Sequence, residues 1–558
     1  MVKEDIIKTL PLIDNPHRFF KIQGEQYLWF YDSYTHGLYP IDSLALESIK
    51  QTGAKYLEKL TIEENLRFLG FLKAIRDLPK DSTNLSIPDE KCSVMINISN
   101  RCNLDCSYCY RNKKHSNIMS LDVLKDSIDY VTKRYKPNAS EFVFSYSMTS
   151  ESSLDLEILE NIAEEYVNYE DYRFRESDFN EKLLHDFYLR LKETIGDNFS
   201  EEKFPKENAK DIVIFLNRIL GKRNLFDSLN LSESMFRNND RNEIRNRNIL
   251  AKWRLFRLNR WCLELLFDKY IKRRKVPYVG FWFMTNGTCA SERFISFIKS
   301  CDLNPLWISI DGPDSVHNAN RIFNGGKGTY DEIVRNIQIF KKNHIRIKAS
   351  VVITKAFPKP LEIIRHIQFL GFDEIVMTPV RPGCEQSFDN KTVEDLVIGY
   401  DEVFEELENN AIKKNFRLFS FLKNDMILAP FYSFLNRVKI YKRCSFDDQI
   451  VINSKGEIYP CLYFVDNKEF CYGNIKEGID RRKVNHNIDV KNRFSCSDCW
   501  ARYLCGGTCF YGAYNLTGNY LNVDLIECRI KKYLAEKNLK LIVFLQEHNI
   551  SFQEILNA

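Results

Sequence analysis

Residues 102–109 read Cys102-Asn-Leu-Asp-Cys106-Ser-Tyr-Cys109 and closely follow an apolar alternation at 92–98 that predicts a buried strand. Three thiolates at this spacing can fold around one iron–sulphur cubane and bind three of its irons. Because no fourth cysteine lies nearby, one iron would stay open to an outside ligand. The alternative is a structural zinc site, but zinc requires four ligands, usually in two CxxC-like pairs.

A second group of cysteines lies near the C-terminus and follows the pattern C-x11-G-x4-C, C-x2-C-x5-C-x3-C, C. The stretch 451–460, before the second of them, predicts a hairpin. Clustered cysteines in a reducing compartment bind metal more often than they form disulfides. A pair of zinc ribbons is the alternative. The seven residues are Cys444, Cys461, Cys496, Cys499, Cys505, Cys509 and Cys528.

Both groups resemble known signatures. The first, with Tyr108 before its last cysteine, resembles the motif of the radical S-adenosylmethionine (SAM) superfamily. The second resembles the SPASM domain of peptide-modifying radical SAM enzymes. The resemblance implies three [4Fe–4S] clusters, one that binds SAM and two auxiliary ones. It further implies that reduced SAM releases a 5′-deoxyadenosyl radical, which takes a hydrogen atom from the substrate.

The same resemblance divides the auxiliary ligands into two sets. It implies that an outer cluster is held by Cys496, Cys499, Cys505 and Cys528, and an inner cluster by Cys444, Cys461 and Cys509. Either Cys471 completes the inner set or one iron is free to bind substrate. Sulphatase-activating members of the family carry an aspartate base after the second SPASM cysteine, where this chain has Leu462. The sequence therefore assigns no acid–base residue and favours crosslinking over formylglycine formation.

Strands that alternate with helices predict an α/β fold with a parallel sheet, and polar residues stand at the C-terminal strand ends. By resemblance the fold is a partial (β/α)6 TIM-like barrel, in which Tyr108 lies beside the adenine. Ser309, Asp311 and Arg321 are then expected to contact SAM. Glu151 is expected to meet the SAM amino group, although Thr149-Ser-Glu-Ser152 replaces the family's Gly-Gly-Glu-Pro.

Four regions are expected. The first is a winged-helix-like domain at 1–85, with short strands in 17–42 and helices in 43–77. Such a domain would bind a leader peptide as an extra strand of its sheet, and the alternative is a plain cap on the barrel. The barrel covers 90–167 and 259–430, and the SPASM domain with a C-terminal helix covers 431–558. Between the barrel segments lies a charged helical insertion at 168–258, which grips an acidic leader or is a solvated addition.

Composition excludes several classes of partner. The net charge of +4 over 558 residues indicates no nucleic-acid partner. No run approaches twenty apolar residues, and the N-terminus carries no secretory signal, so a cytoplasmic protein without a membrane partner is expected.

The leading hypothesis is a radical SAM/SPASM maturase that abstracts a hydrogen from a ribosomally made precursor peptide and installs a thioether or carbon–carbon crosslink. Its partners would be the precursor with its leader and an electron donor of the flavodoxin or ferredoxin type. The alternatives are modification of a folded protein or small molecule, and a non-catalytic iron–sulphur protein for peptide binding or electron transfer.

Overall fold

The computed structural model describes most of the C-terminal half of the chain and several earlier segments. Glu151, the predicted helices in 43–77 and the predicted insertion at 168–258 lie outside the described residues. The described ranges are 15–25, 27–41, 91–99, 101–110, 118–135, 141–146, 278–300, 305–444, 446, 449–485 and 487–558.

By its internal contacts the chain divides into two compact units. The first comprises Met1–Tyr130, Val143–Leu156 and Gly280–Ala558, and the second comprises Val131–Phe142 and Glu157–Val279. Nearly all described residues belong to the first unit. Of the second, the structure describes 131–135, 141–142 and 278–279.

The three strands predicted in 17–42 are present as an antiparallel sheet, which we call the front sheet. It consists of β1 (Phe19–Gln23), β2 (Leu28–Asp32) and β3 (Gly37–Ile41), in that order. A buried bidentate pair fixes its base, because Arg18 donates from Nε and Nη2 to the two carboxylate oxygens of Asp32, both at 2.8 Å.

The second sheet contains ten strands in the order β13-β12-β11-β10-β4-β5-β6-β7-β8-β9. Six of them, β4 to β9, are neighbours in chain order, as expected for repeated strand–helix units. The pairs β6·β7, β7·β8, β8·β9 and β10·β4 are parallel. The strands are β4 (Lys91–Ile96), β5 (Glu141–Tyr146), β6 (Tyr278–Thr285), β7 (Leu306–Ser309), β8 (Ile347–Ile353), β9 (Glu374–Pro379), β10 (Gln449–Ile452), β11 (Glu457–Tyr459), β12 (Gly473–Asn474) and β13 (Gly478–Ile479).

Helices connect these strands and follow them. The interior between strands and helices is filled by buried aliphatic residues such as Ile308, Ala349 and Ile375. The described α-helices are α1 (Leu121–Tyr135), α2 (Glu292–Ser300), α3 (Asp314–Asn320), α4 (Tyr330–Lys342), α5 (Pro360–Leu370), α6 (Thr392–Ile412), α7 (Arg417–Phe421), α8 (Ala429–Leu435), α9 (Arg502–Cys505), α10 (Phe510–Thr517), α11 (Leu525–Glu547) and α12 (Phe552–Asn557). Of the helices that the structure describes, none is long and apolar enough to cross a membrane.

The cysteine-rich region is built around an aromatic core and the long helix α11. Asp524 caps the start of α11, since its side chain accepts from the backbone N–H groups of Ile526 and Glu527. The helix then packs against α6, α8 and α9. A buried cluster that includes Phe446, Phe464, Phe470 and Phe510 fills the space beneath β10 and β11. Elements distant in sequence are thus held together around the predicted auxiliary ligands.

Candidate functional site

The segment 101–110, which carries the first three cysteines and which we call the cluster loop, takes its shape from residues 320–324. Asp105 N donates to the carbonyl of Ile322 at 2.8 Å, and Ser107 N donates to that of Asn320 at 2.9 Å. Leu104 forms an isolated bridge with Phe323. Backbone hydrogen bonds to residues 320–322 therefore hold the loop, together with the bond within it from Cys109 N to the carbonyl of Cys106 at 3.2 Å.

The carboxyl end of β6 supports the other side of the cluster loop. Asn286 donates from Nδ2 to Asn103 Oδ1 at 2.7 Å, and the same nitrogen lies 4.0 Å from Cys102 Sγ. Asn103 in turn donates to Thr288 Oγ1 at 2.9 Å. These amides were not predicted as site residues, and the only sequence signal was the position of Asn286 at a strand end.

Three residues predicted as SAM contacts form one hydrogen-bonded group. Tyr108 donates its hydroxyl proton to Asp311 Oδ2, and Arg321 Nε donates to the same oxygen at 3.1 Å. The guanidinium carbon of Arg321 lies 5.4 Å from the Tyr108 ring centroid. Asp311 is fully buried, and its other carboxylate oxygen, Oδ1, accepts from Val352 N at 3.1 Å. This network joins the cluster loop to the strands β7 and β8.

A neutral histidine, His317, supports the network through hydrogen bonds to Asp311 and Thr329. His317 Nδ1 accepts from Asp311 N at 3.2 Å, and Nε2 lies 2.8 Å from Thr329 Oγ1, which donates to the carbonyl of Arg321 at 3.0 Å. Burial lowers the pKa of His317 to about 4, with the charge of Arg321 acting in the same direction and that of Asp311 against it. The ring thus stays neutral and holds Asp311 and Arg321 in register.

Ser309 and Glu151 complete the predicted contacts. Ser309 is the last residue of β7, is buried and pairs with Ser350 of β8. It therefore lies two residues before Asp311 at the same strand end. Glu151 is not among the described residues.

The thiols of the cluster loop are partly buried and influence one another electrostatically. Burial raises the pKa of Cys106 to about 11, and the neighbouring thiols of Cys109 and Cys102 act in the same direction, whereas Arg321 acts against it. Thiols with such a raised pKa lose their protons when a bound cation compensates the charge. None of the described cysteines forms a disulfide. The donor set thus fits an iron–sulphur cluster.

The four predicted ligands of the outer cluster also lie together. Burial raises the pKa of the Cys528 thiol to about 12. Three thiols act in the same direction, those of Cys505, Cys499 and Cys496. The backbone supports this arrangement through α9, which ends at Cys505, and through the hydrogen bond from Cys499 N to the carbonyl of Cys496 at 3.1 Å.

The three predicted ligands of the inner cluster form a separate group. Burial raises the pKa of Cys461 to about 12, and the nearby thiols of Cys509 and Cys444 act in the same direction. Cys471 packs on the same aromatic core, but its thiol donates to the carbonyl of Gly473 at 3.4 Å. Leu462 is 5% exposed and belongs to that core, so the position after Cys461 offers no proton acceptor.

In the part of the chain that the structure describes, no three His, Cys, Asp or Glu side chains form a group that could hold a single metal ion. In a four-iron cluster each thiolate binds a different iron, so its ligands surround a larger body.

An α/β sheet with three such cysteine groups defines the class of protein. The chain is a relative of the radical SAM enzymes that carry a SPASM domain, which confirms the resemblance predicted from its cysteines. No family model matches the chain.

The particular relatives are maturation enzymes. A cysteine-type anaerobic sulfatase-maturating enzyme of Clostridium novyi (strain NT) is 22% identical over 305 residues, which are 50% of this chain and 76% of the relative. An enzyme of the same description from Clostridium perfringens (strain ATCC 13124, Type A) is 25% identical over 242 residues. These residues are 40% of this chain and 63% of that protein, which is less than two thirds of its length. The α/β fold matches the solved structure of native anSMEcpe with bound AdoMet and the Cp18Cys peptide, with a TM-score of 0.50 and 16% identity, over 83% of this chain and 100% of the other.

Proposed function

We propose that this chain is a radical SAM/SPASM peptide maturase. It generates a 5′-deoxyadenosyl radical, abstracts a hydrogen atom from a ribosomally made precursor peptide and installs a thioether or carbon–carbon crosslink. The proposal is supported by the ten predicted cysteines, because the thiols of each predicted set are close enough to influence one another electrostatically. Three [4Fe–4S] clusters are the cofactors that these sets would hold.

The cluster loop would present the open iron to SAM. A cluster held by this loop would supply the radical together with SAM, chemistry that no side chain performs alone. The protein's part is to fix the geometry: Asp311 accepts a hydrogen bond from Tyr108 and orients its ring, and Arg321 keeps a charge beside it. Ser309, Asp311, Arg321 and Glu151 are the proposed SAM contacts, and Tyr108 the adenine neighbour.

The auxiliary region would receive the electron that oxidative crosslinking releases. Hydrogen abstraction yields 5′-deoxyadenosine and a carbon radical on the substrate. When a deprotonated substrate thiol bonds to that carbon, one surplus electron must leave, and a cluster held by the inner set would accept it. The inner set offers three thiols, Cys444, Cys461 and Cys509, so a cluster held there would leave one iron open to a substrate sulphur. A flavodoxin- or ferredoxin-type donor supplies the first electron in the cytoplasm.

The front sheet is the proposed docking place for a leader peptide. Among the described residues β1 and β3 are its outer strands, and an added peptide strand would pair with one of them. Contacts to the outer-cluster segment hold the sheet in place: Phe20 stacks on Trp500 with ring centroids 3.9 Å apart, and His17 Nδ1 lies 2.7 Å from the carbonyl of Asp498. The proposed regions are those set out from the sequence, with the front domain at 1–85 and the SPASM domain at 431–558.

Sulfatase maturation is the second candidate, because the similar curated proteins carry that name. The buried Leu462 counts against it, since a leucine cannot accept a proton where the resemblance places the base. A peptide with a sulfatase motif would give formylglycine if this candidate is right, whereas a crosslinking enzyme would leave it unchanged.

The test is anaerobic reconstitution followed by iron and sulphide analysis and a SAM cleavage assay. The wild-type chain should hold about twelve irons in three cubanes and release 5′-deoxyadenosine. The triple variant Cys102→Ala, Cys106→Ala, Cys109→Ala should lose about four irons together with all cleavage. A matched Cys289→Ala variant, whose cysteine lies outside the three sets, should retain both. Zinc in the C-terminal region, or no SAM-dependent product, would refute the proposal.

A further inference from the structure

A partly buried cation lies beside the inner set of thiols, and the chemistry proposed above does not use it. Arg381 follows the end of β9 by two residues, at the edge of the sheet where Ser309 ends β7. Its guanidinium carbon lies 5.9 Å from the ring centroid of Tyr463. Tyr463 is itself two residues from the predicted ligand Cys461. The arginine thus stands at the inner face of the cysteine-rich region.

A shared carboxylate connects Arg381 to a second inner ligand. Glu527 Oε2 accepts from the backbone N–H of Cys509 at 2.9 Å and lies 3.4 Å from Arg381 Nη1. The other oxygen of Glu527 lies 2.8 Å from Lys531 Nζ, which also donates to the carbonyl of Gly507 at 2.8 Å. Two cations therefore share one anion, and the network of Arg381, Lys531 and Glu527 carries a net positive charge.

Arg381 also has an unused donor. Its Nε is buried and has no hydrogen-bond partner among the described residues. A buried donor without an acceptor is destabilising, so such a group is expected to have a partner in the working protein. The hydroxyl of Tyr463 and the sulphurs of the inner set are the candidate acceptors at this place.

We infer that Arg381 raises the reduction potential of the inner auxiliary cluster relative to the outer one. This rests on the proposed function, because it requires the inner set to hold a cluster. The reduced cluster carries one more negative charge than the oxidised one, and a fixed cation beside the inner ligands favours the reduced form. Glu527 weakens this effect, since it neutralises part of the charge of Arg381. The inner cluster is thereby suited to receive the electron that crosslinking releases.

The test uses the full chain with the triple alanine substitution in the cluster loop, so that only the auxiliary clusters remain. After anaerobic reconstitution it should hold about eight irons, and an EPR-monitored redox titration should resolve two midpoints. Arg381→Gln should lower the midpoint of one cluster by about 59 mV and leave the other midpoint unchanged. For a one-electron couple, this shift is a tenfold fall in the ratio of reduced to oxidised cluster at a fixed potential. Arg381→Lys, which keeps the charge, should stay near the parent value.

Two further variants keep the inference falsifiable if Arg381→Gln fails to load a cluster. Glu527→Gln retains an acceptor for Cys509 N but removes the anion, so the same midpoint should rise. Lys540→Gln removes a half-exposed charge from the same helix, where it pairs with Glu536, and should move neither midpoint. Equal shifts from Arg381→Gln and Arg381→Lys, or a fall with Glu527→Gln, would overturn the inference. Fewer than about eight irons in the parent would instead overturn the proposed function beneath it.

Discussion

The cluster loop and the front sheet are both attached to residues far along the chain, but by different chemistry. Tyr108 of the loop reaches Asp311 across 203 positions, and Trp29 of the front sheet reaches Glu547 across 518. The loop is attached by a buried ionic network around Asp311, which is 0% exposed. The front sheet is attached by stacked rings and by a carboxylate that water can still reach.

The difference reflects what each segment must do. A cluster ligand has to stay within fractions of an ångström of its position, and directional hydrogen bonds between buried charges fix such geometry. A docking sheet only has to remain in place, and aromatic packing tolerates small displacements. Rigidity is thus concentrated where the chemistry is proposed, and breaking it should cost more there than at the front sheet.

The largest effect is expected from Asp311→Asn. The substitution removes the carboxylate charge and leaves the buried Arg321 unpaired, which costs on the order of 3–5 kcal/mol. We expect a markedly lower thermal midpoint, and loss of SAM-dependent changes in the EPR spectrum of the cluster in the cluster loop. The matched variant Tyr108→Phe deletes only one hydrogen bond, so its cost should be about 1 kcal/mol. Equal losses in the two variants would show that the ionic network does not hold the loop.

Much of the fold and several residues of the candidate site could be predicted from the sequence. The strands β6, β7, β8 and β9 were predicted and are present. The three ligand sets expected from the cysteine spacings stay a prediction. Tyr108, Asp311 and Arg321 were each predicted as separate SAM contacts. What the sequence did not predict is that they hydrogen-bond to one another, because a pairing between distant loops leaves no local periodic signal.

The contacts that position the segments were missed for the same reason. Asn286 was visible only as a polar residue at a strand end, and its hydrogen bond to Asn103 depends on how β6 meets the cluster loop. Glu547 near the end of α11 gave no signal, since a glutamate on a surface helix is ordinarily solvated. Tertiary packing, which spans hundreds of residues here, decides both contacts.

A smaller effect is expected when the front sheet is released. Glu547 accepts from Glu25 N at 2.7 Å and from Trp29 Nε1 at 2.8 Å, next to the turn between β1 and β2. Glu547→Ala removes these two bonds and a longer one from Tyr27 N at 3.4 Å, at a partly exposed site and at a cost of about 2–3 kcal/mol. The measurement is amide hydrogen exchange over residues 19–32, which should accelerate there and not in β7 or β8.

A second variant reaches the same contact from the other side. An added Cβ at Gly24 would lie 2.2 Å from a carboxylate oxygen of Glu547, so Gly24→Ala should displace the carboxylate and accelerate the same amides. Glu554→Ala, at an exposed position of α12, is the control and should leave exchange in the front sheet unaltered. Unchanged exchange in both test variants would mean that ring stacking alone holds the sheet.

The smallest expected effect is a pH dependence of stability. It should arise in the network that attaches the cluster loop, which contains His317, and not in the contact between Glu547 and the front sheet. Burial lowers the pKa of His317 to about 4, whereas in the unfolded chain it titrates near 6.5. The neutral ring therefore stabilises the fold fully above about pH 6.5, and this contribution is lost as the pH falls towards 4. Between pH 7 and pH 5 the loss is about 2 kcal/mol. His317→Gln cannot titrate at this position, so its stability should fall less over that interval, as measured by denaturant midpoints at the two pH values.

The control is Glu547→Ala, which keeps His317 and should retain the wild-type pH dependence. If His317→Gln loses as much stability as the wild type between pH 7 and pH 5, the titration of His317 does not contribute to the stability of the fold.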